Sequence, residues 1–238
     1  MSNKSMSMEL PLIYVSRMEV SESYFDDFMT WCKMRHWPDV LGVGFLSANG
    51  YLCVSGAPRI CNVYEIPSVE VFSSAYDAVR ANDEQLKVIV AEKISKHSLT
   101  VYSQVLTHGL PQIPSRSFPS LSQSWSCPAM SSARFDLSTE AVDAARLRGM
   151  QDIFSDLALD TRLLRARFLK ESSKHPTYPS PEPAWSVLIE WADLAGAENG
   201  VLALADALKS HFGISMTRLQ LNAGQGVFSL RHPSRWKA

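Results

Sequence analysis

Apolar positions along this chain switch between two periods, and the switches mark out its elements. Leu12 to Val20 (LIYVSRMEV) joins β-branched and aromatic residues to partial alternation and predicts a strand. Phe25, Phe28, Met29 and Cys32 then recur at i, i+3, i+4 and i+7, the stripe of an amphipathic helix with Ser21 as its candidate N-cap. Pro38 is expected to end that helix, because it disfavours helical geometry in Trp37. Gly42 and Gly44 loosen the descent into a second strand, Phe45 to Val54, and SGAPR (Ser55 to Arg59) turns the chain into a third, Ile60 to Ile66. Ser68 opens another helix with Phe72, Ala75, Tyr76 and Val79 on one face, a helical piece covers Leu86 to Ile94, and Leu99 to Leu106 is a fourth strand. The order β-α-β-β-α-β is that of a split βαβ, or ferredoxin-like, unit.

Thr107 to Ser132 is rich in Pro and Ser, shows no period, and reads as a linker. After it the pattern restarts. Ala133 to Leu137 is a strand; Ser138 caps a helix with Met150, Ile153, Phe154 and Leu157 at helical spacing; and Leu163 to Leu169 is a second strand. A Pro-rich loop (Lys174 to Pro183) leads to a third strand, Trp185 to Trp191, and Val201, Leu204, Ala205 and Leu208 mark another helix. Thr217 to Leu221 with Gly226 to Leu230 supplies a last strand or a closing hairpin. Laid over each other without a gap, Ser21-Glu22-Ser23 falls on Ser138-Thr139-Glu140, and His36-Trp37-Pro38-Asp39 on Ile153-Phe154-Ser155-Asp156. This argues for a fused duplication, residues 1–106 and 133–238 joined by the linker 107–132. Each unit leaves one sheet face bare, and packing the two bare faces together buries both. The expected fold is α+β: two tandem ferredoxin-like (βαββαβ) repeats packed as one intramolecular α+β barrel, with association of two such chains left open.

The 238 residues allow a substantial core, and 46% hydrophobic, 20% charged and a net charge of -1 give no electrostatic reason to expect nucleic acid or an anionic membrane as partner. The start MSNKSMSMELP lacks the apolar region of a secretory signal, and no run approaches the roughly 18 apolar residues of a membrane span, so a cytoplasmic location is expected. Cys32, Cys53, Cys61 and Cys127 make no C-x-x-C pair and no zinc spacing with the histidines, which reads as free thiols. His97, His108, His175, His211 and His232 are scattered over loops and helix ends without metal-ligand spacing. Gly42-Val43-Gly44 lacks the third glycine of a nucleotide fingerprint and precedes a strand; no cofactor is expected and no metal.

His36, four residues past Cys32 on the buried stripe, should point toward the barrel, where burial keeps it neutral and able to take or relay a proton; the alternative is a hydrogen-bonded structural histidine at a helix end. Tyr14, Ser16 and Arg17 on the first strand, Asn62 and Tyr64 on the third, and Tyr102 and Gln104 on the fourth are polar-tipped residues in otherwise apolar strands. Lining the barrel, they would form an aromatic pocket with a few hydrogen-bonding tips; the equal alternative is a packed interior with satisfied hydroxyls. Asp39 can orient His36 or cap backbone amides after Pro38, and Arg35 is a carboxylate binder or a surface charge.

Trp31 to Tyr51 (WCKMRHWPDVLGVGFLSANGY) resembles the W-Y-x-x-E-H-x-P-D-L-L-x-V-P-G-F-x-x-A-x-x-Y stretch of EthD-like proteins in the dimeric α+β barrel superfamily. Val63 to Tyr76 resembles their third strand and second helix, and Leu99 to Gln104 their closing strand. Cys32 to Arg35 stand where that family has Tyr and acidic residues, and the Pro before Gly44 is missing. The resemblance implies the barrel and a broad choice of chemistry: cofactor-independent monooxygenases, isomerases, cyclases, and dehydratases or dismutases with haem. The expected function is a small-molecule enzyme of catabolism or secondary metabolism, doing lyase, isomerase or hydrolase chemistry on an apolar or aromatic substrate. His36, Tyr64 and Tyr102 would be catalytic, and Arg17, Asn62, Tyr14, Asp39 and Gln104 would bind substrate. The alternatives are a non-catalytic ligand-binding accessory protein of a degradation pathway and a haem-binding barrel.

Overall fold

A computed structural model describes residues 10–73, 75–81, 83, 84, 88, 92–109, 129–138, 143–174 and 183–231. Most of the expected linker and of the helical piece before the fourth strand, the Pro-rich loop, Cys127, His175 and His232 lie outside the described residues. The strands are β1 (Leu12–Val20), β2 (Ser47–Ser55), β3 (Ile60–Ile66), β4 (Ile94–His108), β5 (Ala129–Leu137), β6 (Leu163–Lys174), β7 (Trp185–Trp191) and β8 (Met216–Arg231). They close a barrel in the order β1-β3-β2-β8-β5-β7-β6-β4, with antiparallel pairing throughout. The first half supplies β4-β1-β3-β2 and the second β8-β5-β7-β6, the same order with each strand number raised by four. Closure leaves no unpaired sheet edge.

Outside the barrel run α1 (Phe25–Trp31), α2 (Trp37–Gly42), α3 (Ala75–Ala81), α4 (Ala144–Leu157) and α5 (Leu194–Phe212). Because strand side chains alternate, each strand feeds two cores. Ile13, Val15, Tyr51, Val63, Tyr102 and Leu188 pack inside the barrel. Their neighbours Tyr14, Met18, Tyr64, Leu99 and Val101 pack outward under α1 and α2, and Phe135, Phe168, Trp185 and Trp191 do so under α4 and α5.

The barrel interior also holds a buried ionic network that spans the two halves. Arg165 on β6 places its Nη1 2.9 Å from Glu65 Oε1 on β3 and its Nη2 2.7 Å from Glu190 Oε1 on β7. Arg167 reaches the same two oxygens at 3.4 and 2.6 Å. Two carboxylates facing two guanidiniums keep this part of the interior neutral overall, the condition for holding ions away from water.

Of the last strand or closing hairpin expected, β8 is the strand, continuous from Met216 to Arg231; its bulges against β2 and β5 let it follow the barrel's curvature. Two expectations are corrected. The helix of the second half is capped by Asp143, whose carboxylate accepts from the Arg146 N–H at 2.8 Å, while the backbone N–H of Ser138 donates to Ser215 O. The fourth strand begins five residues earlier than its apolar run, at Ile94, which moves His97 from a loop onto β4.

Glu190→Gln is expected to leave Arg165 and Arg167 sharing the single charge of Glu65 and to cost about 3–5 kcal/mol. Urea unfolding measures this; a midpoint within error of the wild type would show that the network adds nothing to stability.

Candidate functional site

The helical path of the first half does not stop at Pro38. Between α1 and α2 the chain makes a π turn, Cys32–His36, in which the Trp37 N–H reaches back five residues to Cys32 O. This shift of hydrogen-bond register lets Pro38 enter in the first turn of α2, where its missing N–H costs little. The wider turn also brings residues five apart onto one side: the His36 ring stacks on Trp31 with centroids 4.9 Å apart and planes 22° from parallel.

His36 does not enter the barrel. It faces the outer side of the sheet, where its Nε2 lies 3.2 Å from the Tyr64 hydroxyl. Beside that contact is a cavity of about 50 Å³, between β1, β3 and β4 on one side and α1, the π turn and α3 on the other. Its polar lining comprises Tyr14, Ser16, Asn62, Tyr64, Tyr76, Arg80, His36 and His97, and Phe28, Trp31, Leu99 and Ile94 are among its apolar walls. One water needs roughly 10–15 Å³ by this kind of measure, so the space admits a ligand of a few heavy atoms or the reacting end of a longer one.

The outer face of β1 and β3 sets the order of these groups. Tyr14 lies opposite Tyr64, and Ser16 opposite Asn62. The Tyr14 and Tyr64 rings stack at 5.2 Å, and Phe45 meets both edge-on at 6.1 and 5.4 Å. Trp37, wedged between Gly50 and Phe228, stacks on Phe228 at 4.1 Å, which ties this wall to β8 of the other half. Among the described residues, the buried Trp37 Nε1 and Asn62 Oδ1 have no hydrogen-bond partner. Both side chains nevertheless sit close enough to the Tyr64 oxygen to favour its ionised form in part.

Electrostatically the site favours neutral groups. His36 keeps a little exposure toward the cavity but is packed by protein all round, and burial, reinforced by the Arg80 and His97 charges against the opposing Asp83, lowers its pKa from 6.5 to about 4. His97 falls to about 4 as well, through burial and then Arg80. Burial first, and neighbouring tyrosines after it, raise Tyr14 well above 10; burial and then Cys32 and Tyr76 do the same for Tyr64. At neutral pH the cavity therefore presents two uncharged imidazoles and several phenols, with one guanidinium at its rim.

Of the residues singled out from the sequence, His36, Tyr64, Asn62 and Tyr14 come together here. Tyr102 and Arg17 are on the opposite face of the same strands, inside the barrel: Tyr102 belongs to the interior core, and Arg17 is paired with Cys61 and Ser98. Gln104 spends its amide on Pro11 O at 2.7 Å, and Asp39 sits half-buried in the first turn of α2, away from the cavity lining. His97 and Arg80 line the cavity and were missed. Period two alone would have placed His97 on the face of Leu99 and Val101, had the strand not been cut at Leu99. Among the described residues no three His, Cys, Asp or Glu side chains converge as a metal site would, and no helix is long and apolar enough to cross a membrane.

No family model and no curated protein matches the chain. Solved structures do, at low identity. An anthrone oxidase-like protein shares 12% identity with a TM-score of 0.62, covering 95% of each chain. A candidate monooxygenase from Fusobacterium nucleatum subsp. nucleatum shares 9% (TM-score 0.58, covering 94% of this chain and 95% of that one). A heme-binding protein from Thermus thermophilus shares 11% (TM-score 0.50, 92% of each). These likenesses give the fold, that of the dimeric α+β barrel proteins.

Both histidines have lower pKa values folded than unfolded, so the unfolded chain takes up protons first as the pH drops. Their contribution to stability is complete above about pH 6.5 and declines toward about pH 4. Lowering a pKa from 6.5 to about 4 corresponds to at most about 3 kcal/mol per histidine. Urea midpoints at pH 7 and pH 4.5 should converge in the double variant His36→Gln/His97→Gln relative to wild type; an unchanged pH response in that variant would rule out neutral, buried rings.

Proposed function

We propose that the chain is a duplicated, EthD-like barrel protein of the reducing cytoplasm whose first half carries one small-molecule site, and that this site does acid-base chemistry without a nucleotide or metal. The observation that carries this reading is the His36–Tyr64 contact at 3.2 Å on the wall of a partly open, aromatic-rich cavity. An imidazole and a phenol in contact can pass a proton between them, and a pocket of neutral imidazoles, phenols and apolar walls, with Arg80 as its charged lining residue, suits an uncharged apolar or aromatic substrate. His36 is the acid or base, Tyr64 its partner at the substrate, and Asn62 and Tyr14 hold the ligand. Tyr102, Arg17, Asp39 and Gln104 take no part, because none lines the cavity.

The duplication is supported by the matching strand order of the halves and by the starts of β1 and β5, Leu12 and Ala129, which keep the offset that lays His36 on Ile153. β3 and β7 are both seven residues long, so Tyr64 corresponds to Ile189 and Asn62 to Val187. The second half thus has apolar residues at each of these places. There Ile153, Val187 and Ile189 belong to one core cluster, so the polar groups of the first half's site have no counterpart at these places.

Haem, suggested by the heme-binding neighbour, does not fit this cavity. Its about 50 Å³ offers no room for a macrocycle, Tyr64 faces the His36 nitrogen that iron would need, and Trp31 covers the ring. Lyase, isomerase or hydrolase chemistry is the class the residues can serve, since each needs proton transfer and a hydrogen-bond donor for developing negative charge.

A thermal-shift screen of small carbonyl, aromatic and lactone compounds is expected to give ligands that stabilise the wild type, one or more of them turned over. His36→Gln should lower that turnover about 100-fold while the stabilisation persists. Ligands bound equally by both proteins and converted by neither would make this a binding protein, and a Soret band in the purified material would restore haem.

A further inference from the structure

The cavity has a second titratable group on its sheet side that the reading above leaves unused. On β4 the register against β1 breaks: Ser98 faces Arg17 and Ser95 faces Glu19, so Met18 alone stands opposite Lys96 and His97. This is a β-bulge, and Lys96 in it has φ +48°, a left-handed conformation that a lysine adopts only at a cost of about 1 kcal/mol. Beside the bulge, His97 follows Leu99 and Val101 onto the outer face, and its Nε2 points at the buried Ser16 hydroxyl at 3.4 Å. That separation is at the long limit of a hydrogen bond, so a ligand proton can take the place of the Ser16 hydroxyl. Ser16 in turn lies opposite Asn62, two residues along β3 from Tyr64. Following the sheet across, the order is therefore His97, Ser16, Asn62, Tyr64 and then His36, all on the lining of one cavity.

We propose that His97 is a second proton-transferring residue, working from the β4 end of the sheet wall that also carries Tyr64, and that the cavity enolises small, uncharged carbonyl compounds. The inference rests on the acid-base reading of the site and names its substrate class. His97 Nε2 removes a proton from the carbon next to the carbonyl. The electrons of that C–H bond form the new C=C bond, the C=O electrons move onto oxygen, and that oxygen takes the phenolic proton of Tyr64. Tyr64 is reprotonated by His36, which takes a replacement proton from water, and His97 returns its proton to water, so the protons balance and no oxidant or reductant is needed.

Giving and taking a proton within one step suits this pocket on physical grounds. Burial and the Arg80 charge make a lone imidazolium costly here, whereas removal by one residue coupled to delivery by another leaves the cavity's net charge unchanged.

The test follows loss of the α-proton signals of acetone, cyclohexanone and acetophenone in D2O by NMR, with wild type, His97→Gln, His36→Gln and Tyr64→Phe, each checked for folding by near-UV circular dichroism. Wild type should accelerate exchange over buffer, and His97→Gln should lose about 100-fold of that acceleration, as should Tyr64→Phe. Acceleration that survives in His97→Gln but disappears in His36→Gln overturns the second base while the one-histidine reading stands. No acceleration with any of the three ketones also overturns the proposal, and thermal shifts by the same ketones then decide separately whether the cavity binds small molecules.

Discussion

Everything in this molecule follows from a two-faced sheet that has to cover both faces. With side chains alternating every residue, one face of each half can be covered by that half's own helices, but the other has no local partner. The two halves solve this by closing β2 on β8 and β4 on β6, which hides both inner faces and removes the sheet edges in one arrangement. The same alternation then assigns every strand residue to the barrel or to the helix layer. Tyr64 and Tyr102 can never meet, however alike they look in sequence.

The two compartments have opposite characters. The barrel interior holds, besides the buried Arg17 and Arg134, the Glu65, Glu190, Arg165 and Arg167 network, where each carboxylate is held by two guanidiniums. Such a network favours one register of the halves over others, because slipping β3 against β6 and β7 would strand charges in a dry interior. The helix layer of the first half is instead incompletely filled. Its cavity lies between the sheet and the π turn that carries His36, beside the β4 bulge. Two local irregularities of backbone thus border it, in keeping with the tendency of π turns and bulges to sit beside functional sites.

Neutrality is the chemical signature of that place. Its histidines have been moved away from the pH at which a free imidazole would be half protonated, and its tyrosines away from ionisation, by the same burial. Groups so placed bind and exchange protons with uncharged partners more readily than they hold an ion. The second half offers the complementary lesson: with Ile153 and Ile189 where the first half has His36 and Tyr64, the equivalent space is ordinary core. It serves the first half by completing the barrel and by setting Phe228 against Trp37, the residue next to His36.

The sequence by itself determined the types of most elements and their order, because hydrophobic period is a local property. Ile60–Ile66 and Trp185–Trp191 match their apolar runs end for end. It also picked out His36, Tyr64, Asn62 and Tyr14, since a polar tip in an apolar strand or stripe stands out without any structure. Only the tertiary fold decided which sheet face lines which compartment, for an alternating strand reads the same whichever way it is turned. It decided that His36 looks outward, that Tyr102 and Arg17 face the barrel, and that His97 and Arg80, far apart in sequence from His36, share its cavity. Pro38 shows the remaining limit: its local preference to end a helix was overridden by a π turn that the packing of Trp31, Trp37 and His36 holds in place.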